Sequence, residues 1–229
     1  MRIICLANSF RTGGRCLGGI ELDANNNPIF IKSRPKWIRP VCDTNNEQVP
    51  TKLVSYIFLL DIIEFQVMKK TGHGHQVENV LFNTNSLKVV DKFPFSELDK
   101  IIDNTRFNLV FGNRGAAVPE YKLNQFNYSL ELLKLTNFET NERVFEDRHY
   151  PQIKLSFHYK KVLYNIPITD PVFLYNYEKN KSILENVQKI YVTFSLAAPN
   201  NEWSSKLVAG IITDDIINKK EKIDLNDFL

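Results

Sequence analysis

Two segments of this chain alternate apolar and polar side chains with a period of two, and this pattern restricts its fold more than any other feature. Residues 152–159 place Ile153, Leu155, Phe157 and Tyr159 on one side, and residues 190–196 repeat the alternation. Successive side chains of a strand point to opposite faces, whereas a helix repeats every 3.6 residues. Aromatic residues, which favour pleated surfaces, make up 12% of the chain. The sequence therefore predicts a mainly β (β-rich α+β) fold.

Short strands separated by turn-forming residues continue this pattern along the chain. We predict further strands over residues 1–7, 15–22, 29–32, 37–41, 162–168 and 206–212, with turns at 8–14, 23–28, 160–161 and 199–204. Residues 53–68 are predicted to form one long, bent strand, because Val, Ile, Tyr and Phe dominate them. Short helices are predicted over 96–103, with Ser96 as N-cap, and after Asp170, with Asp170 as N-cap and Pro171 in the first turn.

The length of 229 residues is enough for two compact halves of about 100 residues each. Many short strands with turn signals between them are typical of small barrels or sandwiches. Residues 112–119 have the composition of a loop, so we place an N-terminal barrel at 1–115 and a C-terminal barrel at 116–229. The tail after Thr213 is charged and is expected to fray.

Positive charge is concentrated near the N-terminus, although the net charge of the chain is only +3. Residues 1–40 contain seven basic side chains and two acidic ones. Such asymmetry indicates an anionic partner for this part of the molecule.

The first candidate site is a turn in which polar side chains, arginines and a Gly-Gly pair come together. Backbone amides in such a turn can form an anion-binding nest, and guanidinium groups suit phosphate. A plain hairpin with exposed arginines explains the same residues equally well. The candidate phosphate-binding residues are Asn8, Ser9, Arg11, Gly13, Gly14 and Arg15.

The second candidate site surrounds a tryptophan with basic residues. A stacking aromatic ring combined with phosphate contacts is typical of proteins that hold single-stranded nucleic acid. The alternative is a solvated basic edge with the tryptophan in the core, and for the tryptophan alone the core interpretation is favoured. The candidate residues are Arg34, Lys36, Trp37 and Arg39.

Other chemistries have weaker support in the sequence. His73 and His75 lack a surrounding set of ligands, so we predict no metal site and no cofactor. Asp61 and Glu64, three residues apart, would lie on opposite faces of a strand and would not converge as a nuclease pair. No signal peptide or membrane-spanning segment is apparent, and three cysteines without a CxxC pair fit a reduced, cytoplasmic protein.

Several sequence blocks together resemble the bacterial dual OB-containing domain family. They are CLANS-x-R-x-GGRC-x-GG (residues 5–19), WIRPV (37–41), HQVEN (75–79), ITDP (168–171) and SKLVAGII (205–212). The resemblance covers nearly the whole chain and implies two OB-like small barrels with short helices. It also implies binding of nucleic acid or a nucleotide, within a bacterial conflict or phage-defence system.

Three functional hypotheses follow from these observations. The preferred one is a nucleic-acid or nucleotide-binding protein, in which the two basic blocks lie on adjacent strands and share one positive surface. The second is an enzyme acting on a nucleotide or nucleic acid, with Asn8, Ser9, Arg11 and Arg15 joined in a pocket by Asp170 or Glu78. The third is an interaction scaffold that contacts a protein partner. None of the three involves a membrane.

Overall fold

The structure, a computed structural model, describes residues 1–146 and 151–214. Strands dominate and the helices are short, which confirms the mainly β prediction. The chain divides into two compact units. The first unit contains residues 1–101 and 124–130, and the second contains residues 102–123 and those from 131 onward.

The first unit is built around a closed five-stranded barrel. Its strand order is β1-β2-β5-β7-β6, with β1 also pairing with β6 to complete the barrel. Neighbouring strands are antiparallel except β5 and β7, which run parallel. The barrel strands are β1 (Arg2–Arg11), β2 (Gly14–Leu22), β5 (Trp37–Val41), β6 (Asp61–Lys70) and β7 (Asn79–Lys92), and a small hairpin contributes β3 (Phe30–Ile31) and β4 (Arg34–Pro35).

Apolar side chains from all five barrel strands form the core of this unit. The cluster includes Ile3, Leu17, Ile38, Phe65 and Phe82, and each of these side chains is buried. Removing so much aromatic and aliphatic surface from water is the main term that stabilises the barrel.

Two elements of the first unit differ from the sequence prediction. Residues 53–68 do not form one strand, because the helix α1 (Thr51–Val54) and a turn precede β6. Asp61 ends that turn by accepting a hydrogen bond from the amide of Phe58 at 2.8 Å. The predicted helix over 96–103 is a 3₁₀ helix over Phe95–Lys100. Its N-cap is Pro94, so Ser96 lies inside the first turn and does not cap it.

The second unit contains two antiparallel sheets that together make a half-barrel. One sheet has the order β10-β11-β12 and the other β8-β14-β13-β9. A parallel bridge between Ile168 and Val208 connects the end of β12 to β14. The strands are β8 (Ala117–Pro119), β9 (Leu130–Leu135), β10 (Phe138–Arg143), β11 (Gln152–Tyr159), β12 (Val162–Pro167), β13 (Ile190–Leu196) and β14 (Trp203–Ile212). The helical elements described after residue 101 are two 3₁₀ helices, Val110–Gly112 and Glu120–Gln125, and the helix α2 (Pro171–Lys179).

The two alternating segments fold as predicted. Strand β11 spans Gln152–Tyr159, and β13 spans Ile190–Leu196. Lys160 and Lys161 both have positive φ, 45° and 70°, which is the conformation of a tight hairpin turn between antiparallel strands. Asp170 caps α2 as predicted, because its Oδ1 accepts hydrogen bonds from the amides of Val172 and Phe173.

A lysine is buried in the core of the second unit. Lys206 on β14 is fully buried, and its Nζ donates to the carbonyls of Val110 at 2.6 Å and Asn113 at 2.9 Å. Burial lowers the pKa of Lys206 to about 7, although the nearby carboxylate of Glu131 opposes this effect. The ammonium also lies 5.0 Å from the centre of the Tyr164 ring.

The boundary between two OB-like barrels, at 1–115 and 116–229, stays a prediction. The expectation of a frayed tail after Thr213 concerns mainly residues outside the described part of the chain. Within the described ranges, no helix combines the length and hydropathy that crossing a bilayer requires.

Candidate functional site

The first unit carries a pocket of 460 Å³ beside the third strand of the barrel. Its wall comes from the β3–β4 hairpin, the start of β5, the end of β6, the loop before β7 and residues 127–128. The wall combines four basic side chains, two aromatic rings and two buried polar side chains. They are Lys32, Arg34, Lys36, Lys70, Trp37, Tyr128, Glu78 and Asn79.

The β3–β4 hairpin holds two of the basic residues at the rim. Lys32 and Ser33 form its turn, with φ of 48° and 67°. This turn replaces the end of the strand predicted over residues 29–32. Arg34 follows the turn, and its guanidinium lies 4.0 Å from the centre of the Tyr128 ring. Because Arg34 also donates to the carbonyl of Leu130 at 2.6 Å, its planar group is held in place.

The remaining basic side chains differ in how readily they can contact a ligand in the pocket. Lys36 forms an ion pair with Glu21, so part of its charge is neutralised within the protein. Lys70 is exposed at the last position of β6, where it pairs with Val80 of β7. Lys69, its neighbour in sequence, is also exposed but does not line the pocket.

Trp37 belongs to the core and to the pocket wall at once. It pairs with Ile20 across β2 and β5, and only 6% of its surface is exposed. No group among the described residues accepts a hydrogen bond from its indole Nε1–H. A buried indole normally finds such an acceptor.

Glu78 and Asn79 are anchored in the wall by neighbouring residues of the same unit. Oε1 of Glu78 accepts hydrogen bonds from the backbone amide and the hydroxyl of Ser129. Nδ2 of Asn79 donates to the carboxylate of Glu47 at 2.9 Å. Arg39 reaches the same serine, because its Nη2 lies 2.7 Å from Oγ of Ser129.

The two basic sequence blocks lie on adjacent strands, as predicted. Gly19 pairs with Ile38 and Ile20 with Trp37 between β2 and β5. The expectation that both blocks present their arginines on one positive surface is wrong for two of them. Arg15 is fully buried and Arg39 is 2% exposed. Contacts of these two side chains with phosphate would require them to leave their buried positions, so removal of Arg39 is expected to affect stability first.

Most of the N-terminal cluster supports the barrel. The amide group of Asn8 donates to the carbonyls of Val54 and Ile57, both at 2.9 Å, and so joins β1 to the end of α1 and to the turn that follows it. The guanidinium of Arg15 lies over the Phe10 ring at 4.4 Å. Ser9 is also buried.

The backbone geometry of the turn explains why both residues of the Gly-Gly pair are glycine. Gly13 has a φ of 80°, which favours glycine. A Cβ on Gly14 would lie 2.4 Å from the carbonyl oxygen of Val49, which approaches to accept a hydrogen bond from the amide of Arg15. Arg11, at the end of β1, is partly exposed. Of the two arginines in this cluster, it is the one that solvent reaches.

Asp170 is part of the second unit and has a structural role there. Besides capping α2, its Oδ2 accepts a hydrogen bond from the amide of Ile211 at 3.0 Å. The carboxylate is buried, at 3% exposure. These hydrogen bonds explain why a carboxylate is buried at this position, and no ligand is needed to account for it.

Sequence reasoning did not select Lys70, Asn79 and Tyr128 as site residues. Glu78 and Asn79 end the block HQVEN, whose polar residues precede a buried strand. This position before a strand is the feature of the sequence that could have identified them. Tyr128 and Lys70 are distant in sequence from the basic cluster, and only the fold brings them to it. Within residues 1–146 and 151–214, no three His, Cys, Asp or Glu side chains group as metal ligands would.

Comparison with known proteins gives one informative match. The family model described as the dual OB-containing domain matches residues 1–211. Among the curated proteins there is no significant match. One solved chain, described as "Molecular basis for abrogation of activation of pro-inflammatory cytokines", is similar at 10% identity and a TM-score of 0.33. The similarity covers 93% of this chain and 92% of that one, but its TM-score is too low to support an argument.

Proposed function

The chain belongs to the dual OB-containing domain family, and from this premise we propose that its first unit binds single-stranded nucleic acid, with one nucleotide seated in the pocket beside β5. OB folds bind oligonucleotides and oligosaccharides at the face of their second and third strands and at the loops that join the first strand to the second and the fourth to the fifth. In this barrel β5 is the third strand, and the loop between β6 and β7 joins the fourth to the fifth.

The observation that carries the proposal is the composition of the pocket wall at this position. Tyr128 supplies a ring already covered by the Arg34 guanidinium, and such planes accept stacked bases. Lys32 and Lys70 are exposed at the pocket and free to contact phosphates that continue along a strand. A volume of 460 Å³ accommodates one nucleotide.

The test compares two adjacent lysines on one strand. Binding of a fluorescent single-stranded oligonucleotide is measured by anisotropy at several salt concentrations, with Lys70→Ala as the test variant and Lys69→Ala as its matched control. We expect Lys70→Ala to weaken binding and to reduce the slope of log K against log salt by about 0.7, the value for one phosphate contact on a single strand. The control should keep most of the affinity of the natural chain. Equal effects of the two variants, or binding independent of salt, would contradict the proposal.

The other two hypotheses are distinguished by the same measurements. Absence of binding to DNA, RNA and mononucleotides would favour the hypothesis of an interaction scaffold. Tight binding of a mononucleotide without any gain from a strand would favour an enclosed ligand site and the enzyme hypothesis. Participation in bacterial conflict or phage defence stays a hypothesis, and loss of phage resistance on deletion of the gene would support it.

A further inference from the structure

Apart from those of Arg34, three buried polar atoms of side chains that line the pocket have no hydrogen-bond partner among the described residues. They are Nε1 of Trp37, Oε2 of Glu78 and Oδ1 of Asn79. The side chains that carry them are at least nine-tenths buried. Native proteins rarely leave buried polar groups unsatisfied, and a ligand that reaches this part of the wall would supply the missing partners.

The chemical identity of each atom is fixed by the rest of its side chain. The indole nitrogen of Trp37 can only donate. Oε1 of Glu78 is occupied by Ser129, which leaves Oε2 to accept. The amide nitrogen of Asn79 faces a carboxylate, which accepts only, and the remaining atom is therefore the carbonyl oxygen. The wall offers one donor and two acceptors, and one of the acceptors belongs to a carboxyl group.

Among the common bases, guanine carries the complementary set on its Watson–Crick edge. Its O6 accepts, and its N1–H and N2 amino group both donate. Cytosine presents one donor with two acceptors, uracil and thymine present two acceptors around one donor, and adenine presents one of each. We propose that the pocket selects guanine, with Trp37 donating to O6 and with Glu78 and Asn79 accepting from N1–H and N2–H.

This inference rests on the proposed function, because it concerns the base of the nucleotide seated in the same pocket. The three atoms are closed to solvent, so the base reaches them only when neighbouring side chains of the wall move aside. Movement beside the indole changes its surroundings, and we expect the fluorescence of Trp37 to change on binding. Trp203, the other tryptophan, belongs to the second unit and is exposed, so a Trp203→Phe background isolates the signal.

The experiment changes the ligand before it changes the protein. Affinities are measured for oligothymidylate strands that carry one central guanine, inosine, adenine or cytosine, and for GMP and inosine monophosphate. We expect the guanine strand to bind about 5- to 100-fold more tightly than the adenine and cytosine strands. Inosine lacks only the N2 amino group and should lose a part of this preference in both the strand and the mononucleotide.

Protein variants then assign the contacts. Glu78→Gln replaces an acceptor oxygen with a donor group, and Trp37→Phe removes the donor while keeping an aromatic ring. Each should reduce the preference for guanine over adenine about 10-fold. Trp203→Phe is the matched control and should leave the preference intact. Circular dichroism confirms that each variant is folded, and the ligand series remains decisive if one is not.

The outcomes separate this inference from the proposal that underlies it. Binding that depends on Lys70 but is equal for all bases overturns guanine selection and leaves strand binding standing. Discrimination against inosine monophosphate without any gain from a strand supports guanine selection and overturns strand binding. Absence of binding to every strand and mononucleotide overturns both.

Discussion

Raising the pH from 7 to 9.5 should stabilise the second unit, because Lys206 is buried there and its pKa is lowered to about 7. The unfolded chain holds the proton of this lysine up to its ordinary pKa of 10.5, whereas the folded unit releases it near 7. Between these values the unfolded state binds more protons, and stability therefore rises with pH. Below pH 7 both states are protonated, and the contribution of Lys206 is at its constant minimum.

The size of the effect follows from the same two values. Each pH unit within the window is worth about 1.4 kcal/mol, so the free energy of unfolding should rise by about 3 kcal/mol between pH 7 and 9.5. The window stops there because burial raises the pKa of Tyr159 and Tyr164. Above about pH 10 these phenols would ionise first in the unfolded chain and reverse the trend.

The assay is urea unfolding at several pH values, followed by Trp203 fluorescence in a Trp37→Phe background so that the signal reports the second unit. Lys206→Met keeps the length of the side chain but has no titrating group. The difference in unfolding free energy between the natural lysine and this variant should change by about 3 kcal/mol across the window. Lys179→Met, at an exposed position, is the control and should show no such change. Parallel curves for the natural chain and Lys206→Met would refute the argument.

Two further substitutions test the packing of each unit by urea unfolding. Gly19→Ala should cost several kcal/mol or prevent folding, because its Cβ would lie 1.9 Å from the backbone carbonyl oxygen of Ile4. Gly115→Ala is the control, because the nearest atom to its Cβ is 3.4 Å away, and it should cost less than about 1 kcal/mol. Similar losses at the two positions would contradict this explanation. Asp170→Ala should cost about 2–4 kcal/mol, because it removes an N-cap and leaves a buried amide of β14 without its acceptor; a loss below about 1 kcal/mol would show that the cap alone matters.

Local patterns in the sequence were sufficient to predict elements whose side chains alternate without interruption. Strand β11 and the hairpin turn at Lys160–Lys161 needed no information beyond their own residues. The prediction of one strand over residues 53–68 is wrong because its apolar residues belong to two elements, the helix α1 and the strand β6. Val54 is buried on a short helix, and Ile63 is buried on the strand that follows. Composition alone does not show where such a change of period occurs.

The candidate site was only partly predictable for a different reason. Arg34 and Lys36 were selected as a basic cluster, and the structure places both beside the pocket. Arg15 and Arg39 belong to equally basic blocks, yet the pleat of β2 and β5 turns their side chains into the protein. The alternation that predicts strands so well does not say which face is inside when both faces carry charges.

The path of the chain through the first unit also sets an order of events during synthesis. Residues 124–130 complete this unit, and among them Tyr128 lies beneath Arg34 while Ser129 holds Glu78 and Arg39. A nascent chain that has emerged from the ribosome only as far as residue 101 has every strand of the barrel but lacks one side of the pocket. The ribosome must translate residues 102–123, which belong to the second unit, before those seven residues appear. The pocket of the first unit is therefore complete only after synthesis of the second has begun.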